Sequence, residues 1–238
     1  MHDFFPRVWS RFSAGGRSWR AGALLLLLLE ADAEVALADP HGELERRPVV
    51  LVHGIHDTAR SMEPMAAWLR ERGWQVHTLS LTPNDGRVGL DVLAEQLHQF
   101  VDKSFSPDTK LDLVGFSMGG LVSRYYLQRL GGAERVERFV TISSPHHGTW
   151  WAYLHWGAGG VQMRPGSAFL QDLNEDGRWL EQVQVTSLWT PLDLMIVPAL
   201  SSHLEGAQER QCWVFAHPLM VLQSNVLKEV EEALSCPK

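Results

Sequence analysis

The segment Gly115-Phe116-Ser117-Met118-Gly119-Gly120 presents a serine between two glycines, G-x-S-x-G. A serine hydroxyl becomes a nucleophile only beside a general base, and that base needs a carboxylate to orient it and to stabilise its protonated form. Eleven histidines could supply the base. Choosing among them requires the elements that would hold each one.

From Pro48 onward, β-rich runs alternate with stretches of helical period. Pro48 to His53 reads as a buried strand, followed by a helix opened by Ser61, carrying Met62, Met65, Ala66 and Leu69, and closed by Gly73. Trp74 to Leu79 is the next strand, and Leu90, Leu93, Leu97, Phe100 and Val101 share one helical face. Leu111 to Phe116 and Met118 to Leu130 form a third strand and helix. Further strands are expected at 138–143, 183–189 and 211–216. A last helix from about Leu219 to Leu234 would bury Leu222, Val226, Val230 and Leu234. Strands joined by helices, without hairpin signals, predict an α/β fold with a mostly parallel sheet covered on both faces.

In such a sheet the reactive groups gather beyond the carboxyl ends of the strands. Ser117 sits directly after one strand and before a helix, the strand–turn–helix setting of a nucleophile elbow. Flanking side chains in so tight a turn would strike neighbouring backbone, hence the glycines. His77 and His98 lie inside elements, His203 is too close to Asp193 for a crossover, and the loop of His146 and His147 reads as structural. His217 ends the last predicted strand and is the expected base; Asp193, beyond the 183–189 strand, is the expected acid. The oxyanion hole needs two backbone N–H groups. Met118, after the nucleophile, supplies one, and Ile55, in the turn His53-Gly54-Ile55, the other. His53 and His56 lack neighbours to complete a metal site, so no metal is expected, and the chemistry needs no cofactor.

Together, Leu51-Val52-His53-Gly54-Ile55, Gly115 to Gly120, Thr141-Ile142-Ser143-Ser144-Pro145-His146-His147-Gly148-Thr149 and Asp193 to Pro198 resemble the small bacterial lipases and esterases of the α/β-hydrolase superfamily, over about residues 47–235. The resemblance implies Ser117 as nucleophile, Asp193 as acid, His217 as base, and Ile55 and Met118 as oxyanion donors. The usual Gly-His before the last helix is Ala216-His217 here. The resemblance also implies an antiparallel first strand, which residues 35–47 do not clearly supply.

The interruption at about 144–181 is expected to be a small cap. Trp150, Trp151 and Trp156 would either wall an acyl-binding site or pack beneath that cap. A lipid or small ester is the expected substrate, with peripheral contact to lipid interfaces. Acyl transfer or thioester hydrolysis would use the same triad. A silent binding module would have no reason to keep all three residues.

The chain carries 21 basic and 28 acidic side chains, net −7, and no basic cluster outside its first residues, which argues against nucleic acid as a partner. Residues 1–38 read as a leader with Arg7, Arg11, Arg17 and Arg20 before a leucine run and Ala36-Leu37-Ala38 as a cleavage site. That pattern predicts export to the periplasm or beyond, despite the acidic Glu30, Asp32 and Glu34; without it the chain would be cytoplasmic. The hydrolase domain would then be 39–238. Cys212, opening the predicted last strand, and Cys236, ending the helix that returns along it, are expected to form a disulfide worth about 3 kcal/mol. Such a bridge would be a second argument for an oxidising compartment.

Overall fold

The computed structural model describes residues 46–236. The expected leader, and nearly all of the segment where an antiparallel first strand was sought, lie outside them. Among the described residues the elements are β1 (Val49–Val52), α1 (Glu63–Arg70), β2 (Val76–Leu79), α2 (Leu90–Ser104), β3 (Leu111–Phe116), α3 (Met118–Arg129), β4 (Val136–Ile142), α4 (Ala158–Gln162), α5 (Ala168–Glu175), β5 (Gln184–Trp189), β6 (Gln208–Gln211) and α6 (Ser224–Ser235), with short 3₁₀ turns between.

The strands form one sheet in the order β2-β1-β3-β4-β5-β6, every pair parallel. Both faces are covered, so β1 and β3 are buried at every position. Alternation sorts the side chains. Val50, Val52 and Leu113 face a core made with α2 and α3 through Leu93, Leu97, Leu121 and Val122. Val49, Leu51 and Val114 face the other core, made with α1 and α6 through Met65, Leu69, Val226 and Val230.

The chain leaves β1 in one direction, to β2, and returns past it to β3, so the order of strands reverses between β1 and β3. The loops beyond the two carboxyl ends diverge there and leave a crevice. Val52 is in register with Gly115, which brings the ends of both strands level. The fold thereby puts the Gly54 turn beside Ser117.

The insertion folds as two short helices, α4 and α5, between 3₁₀ turns at Trp150–Leu154 and Arg178–Glu181. It seats on the loop before α2: Ala158 N–H donates to Arg87 O at 3.1 Å and Gly160 N–H to Gly86 O at 3.1 Å. A Cβ on Gly157 would stand 2.3 Å from Arg87 Cα, so this docking needs a residue without a side chain.

Two expectations fail near the end of the chain. The last strand is Gln208–Gln211, not 211–216. Its polar, mostly exposed edge sequence hides it from a hydropathy reading, whereas 212–215 alternates like a strand: Cys212 and Val214 are buried, Trp213 and Phe215 exposed. The helix starts at Ser224 after a 3₁₀ turn, leaving Leu222 exposed instead of on the buried stripe.

The disulfide falls with the misplaced strand, for both thiols are free. Cys212 follows β6 and donates its N–H to the carbonyl of Trp189, the last residue of β5, so it sits at the carboxyl end of the sheet. The carbonyl of Cys236 accepts from Arg138 Nε at 3.1 Å and Nη2 at 2.6 Å, near the start of β4. The two cysteines thus lie toward opposite ends of the strands. The argument for export from a disulfide goes with it.

Candidate active site

Ser117 occupies the turn between β3 and α3 with φ 53° and ψ −123°, a conformation side chains rarely adopt. The turn survives because its neighbours carry no Cβ. One on Gly115 would stand 2.7 Å from Gly120 Cα, and one on Gly119 would stand 2.5 Å from the carbonyl oxygens of Val52 and His53. Ser117 N–H donates to Ile142 O at 2.8 Å, tying the turn to β4.

Asp193 and His217 meet as the sequence predicts. His217 Nδ1–H donates to Asp193 Oδ2 at 2.7 Å, with both side chains buried. The second oxygen, Oδ1, accepts from the N–H groups of Met195 at 2.9 Å and Ile196 at 2.8 Å. Burial pushes the Asp193 carboxyl up, but the bond and charge of His217 and the two backbone donors outweigh it, and its pKa ends below the usual value. Asp193 is therefore a carboxylate, which fixes the Nδ1–H tautomer and leaves Nε2 as the basic nitrogen. The ring of His217 lies 4.8 Å from that of Phe116, the residue before the serine. Ser117 Oγ makes no hydrogen bond among the described residues, and such contacts commonly tighten only when substrate binds.

Met118 opens α3, so its N–H has no partner within the helix, and the positive end of the helix dipole lies beneath it. The Ile55 N–H has no partner among the described residues either. The two expected oxyanion donors thus belong to the loops that the reversal of strand order sets side by side.

Two further residues position the site and were missed in the sequence. His53, wholly buried, donates from Nδ1 to Gly54 O at 2.8 Å and accepts Leu81 N–H on Nε2 at 2.9 Å. Burial lowers its pKa, so it stays neutral and braces the turn that carries Ile55. Thr190 joins the loops of acid and base: its Oγ1 donates to Val214 O at 2.8 Å and accepts Val214 N–H at 3.3 Å. No local pattern signals a partner 24 residues away. Among the described residues no group of three or more His, Cys, Asp or Glu side chains is placed to hold a metal.

The tryptophans do not pack beneath the insertion. Trp150, Trp151 and Trp156 are 59, 49 and 88% exposed, and Leu194, Trp213 and Phe215 are exposed on the neighbouring loops. Trp150 stacks on Tyr153 with ring centroids 5.5 Å apart, and Trp151 Nε1 donates to Leu194 O at 2.5 Å, binding the insertion to the acid loop.

A parallel sheet with a serine elbow at the reversal of strand order, and a carboxylate–imidazole pair beyond later strands, gives the chain the α/β-hydrolase fold. Comparison with known proteins agrees. The palmitoyl protein thioesterase family model matches residues 48–155, which hold Ile55, Ser117 and Met118. A triacylglycerol lipase of Burkholderia plantarii is 31% identical over 154 residues, 59% of this chain and 42% of that one. The lysosomal thioesterase PPT2 of Homo sapiens is 33% identical over 141 residues, 56% of this chain and 43% of that one. The lipase BlEst2 of Bacillus licheniformis, in its mature form, has the same fold with a TM-score of 0.66 at 17% identity, over 83% of this chain and 95% of that one. The matched part of the first curated relatives is 34–42% of their length.

Proposed function

We propose that this chain is a serine hydrolase that cleaves carboxylic esters of lipid-like substrates through an acyl-enzyme. The observation that carries the reading is the 2.7 Å His217–Asp193 pair held beyond β5 and β6, in a fold whose elbow presents Ser117. In the reaction, His217 Nε2 takes the Ser117 proton as Oγ attacks the ester carbonyl. The N–H groups of Ile55 and Met118 receive the developing oxyanion, and His217 returns the proton to the departing alcohol. Water then repeats the sequence on the acyl-enzyme. Trp150, Trp151 and Trp156 form the apolar surface for the acyl chain, and with Leu194, Trp213 and Phe215 they let the mouth rest on a lipid interface. Export, with residues 1–38 as the cleaved leader, belongs to the same proposal and is tested by sequencing the amino terminus of the secreted form.

Thioester hydrolysis is the second reading, favoured by the thioesterase family match over residues 48–155. The chemistry is shared, so substrates must separate the two. A fluorophosphonate probe should label wild-type chain at Ser117 and leave Ser117→Ala unlabelled. A panel of p-nitrophenyl esters of rising chain length, an emulsified triglyceride and a palmitoyl thioester then identifies the substrate. Absence of labelling at Ser117 would overturn the hydrolase reading. Replacing Trp150 and Trp156 by Ala should raise KM for long-chain esters far more than for acetates, with Tm nearly unchanged, since their rings are exposed; Trp151→Ala should shift KM the same way but also lower Tm, because it removes the bond to Leu194 O. An equal rise for both kinds of ester would remove them from the acyl site.

A further inference from the structure

The turn that carries Ile55 also brings a second carboxylate to the site. His56 has a positive φ of 60°, and its N–H donates to Asn84 O at 2.7 Å, while Asn84 Nδ2 donates to Asp57 O. This strained corner directs the Asp57 side chain inward. The point where a Gly54 side chain would begin lies 3.1 Å from Ser117 Cβ, 3.2 Å from the Phe116 ring and 3.3 Å from Asp57 Oδ2. Even a methyl group would be crowded there, and the close packing around Gly54 places Asp57 Oδ2 within about 6 Å of Ser117 Cβ.

The carboxylate receives no hydrogen bond and no ion pair among the described residues. Three imidazoles lie within reach of its charge, those of His53, His217 and His56. His53 is held neutral by burial with both ring nitrogens occupied, and His56 is exposed. Asp193 takes the Nδ1 side of His217, so the substrate side of the base is the one left open. The proposed mechanism needs that side for the leaving group, because His217 must protonate it there.

We propose that Asp57 determines leaving-group specificity, favouring leaving groups that carry positive charge or hydrogen-bond donors over anionic ones. The proposal rests on the serine-hydrolase reading and deepens it. By this argument the polyanionic coenzyme of an acyl-CoA is a poor leaving group, whereas a glycerol hydroxyl or a peptide N–H finds an acceptor beside the scissile bond. The charge acts from a half-buried position, where one unit charge at several ångströms shifts a rate by about tenfold.

Three butyrate esters differing only in leaving-group charge provide the test: 2-(trimethylammonio)ethyl, its neutral isostere 3,3-dimethylbutyl, and 2-sulfoethyl. Wild-type kcat/KM should fall about tenfold at each step from cation to neutral to anion. The differences should shrink as salt is raised. Asp57→Asn, which removes the charge and breaks no side-chain bond, should bring the three within about threefold while leaving the neutral ester and Tm almost unchanged. Asp57→Lys should invert the order. Charge discrimination that persists in both variants, or a neutral ester that falls as far as the charged ones in Asp57→Asn, would overturn the proposal. Ester turnover with no charge discrimination in the wild type would sink this inference alone. No turnover of any ester and no fluorophosphonate label at Ser117 would bring down the hydrolase reading with it.

Discussion

Asp193 is held by three donors, His217 Nδ1 and two backbone N–H groups, so its geometry outlasts the loss of its charge. Asp193→Asn should keep the fold and Tm yet lower kcat by about 10⁴-fold, because an amide in that place favours the wrong imidazole tautomer. Ser117→Ala should fall at least as far, and the double variant should be little worse than the worse single one, since the residues act as a unit. Steady-state ester hydrolysis beside thermal melts checks both. The thiols give a separate expectation. Burial, with the charge of Glu229 adding to it, pushes the Cys212 thiol up to about 11, so little thiolate forms near neutrality. A thiol reagent on the native protein at pH 8 should titrate Cys236 first and Cys212 only slowly, and both at once in denaturant. A protein with no titratable thiol in denaturant would show that a bridge forms after all.

At the scale of elements, the elbow depends on the contact between Gly119 and the end of β1. A methyl group there would meet two carbonyl oxygens at 2.5 Å, and backbone cannot swing aside as a side chain can. Gly119→Ala should therefore cost about 3 kcal/mol and lower Tm by about 10 °C, with activity falling as β1 and α3 are pushed apart. A melt within 2 °C of wild type would refute that packing argument. The same contact shows what a sequence can reveal. Strand β3 was legible to the residue, because an unbroken apolar run followed by glycine and serine leaves few other foldings. The pairing of Asp193 with His217 was legible because a base and an acid were sought at strand ends, even though the strand before His217 was misplaced. Strand β6 was not legible: an edge strand needs little apolar surface, so Gln208-Glu209-Arg210-Gln211 carries no pattern. Nor could the tasks of His53 and Thr190 be read, since each is defined by a partner far along the chain.

For the molecule as a whole, buried ionisable groups set the response to pH. Burial, with the charge of Arg124 added, keeps the His146 pKa well below normal, and burial does the same, less strongly, at His53. Both stay neutral in the folded chain to lower pH than in the unfolded one, so each withdraws stability as pH falls below about 6.5. Asp112 acts in the opposite sense. Burial raises its carboxyl to about 6 against the pull of Arg138, so the folded state gains a proton first and stability as pH falls through that value. The lowered imidazoles, which include His77, His147 and His155 beside His53 and His146, outnumber the raised carboxyls of Asp112, Asp57 and Glu209, so stability should fall between about pH 6.5 and 5.5. Urea unfolding at pH 7.5, 6.5 and 5.5 measures the slope, and Asp112→Asn should steepen it. A flat profile would mean that His53 and His146 protonate within the fold.

The order in which the working parts occur along the chain matters for its synthesis. Strands β1, β3 and β4, with α3, include all that shapes the elbow, and they are complete by Ile142. The clamp of Thr190 on Val214 and the bond from His217 to Asp193 need another 75 residues. Until α6 follows, the face holding Val49, Leu51 and Val114 also lacks Val226, Val230 and Leu234 to cover it. A nascent or prematurely ended chain therefore displays a serine with no base to activate it. In the proposed reaction, Ser117 therefore becomes a nucleophile only once His217 has been made, long after the elbow that presents it.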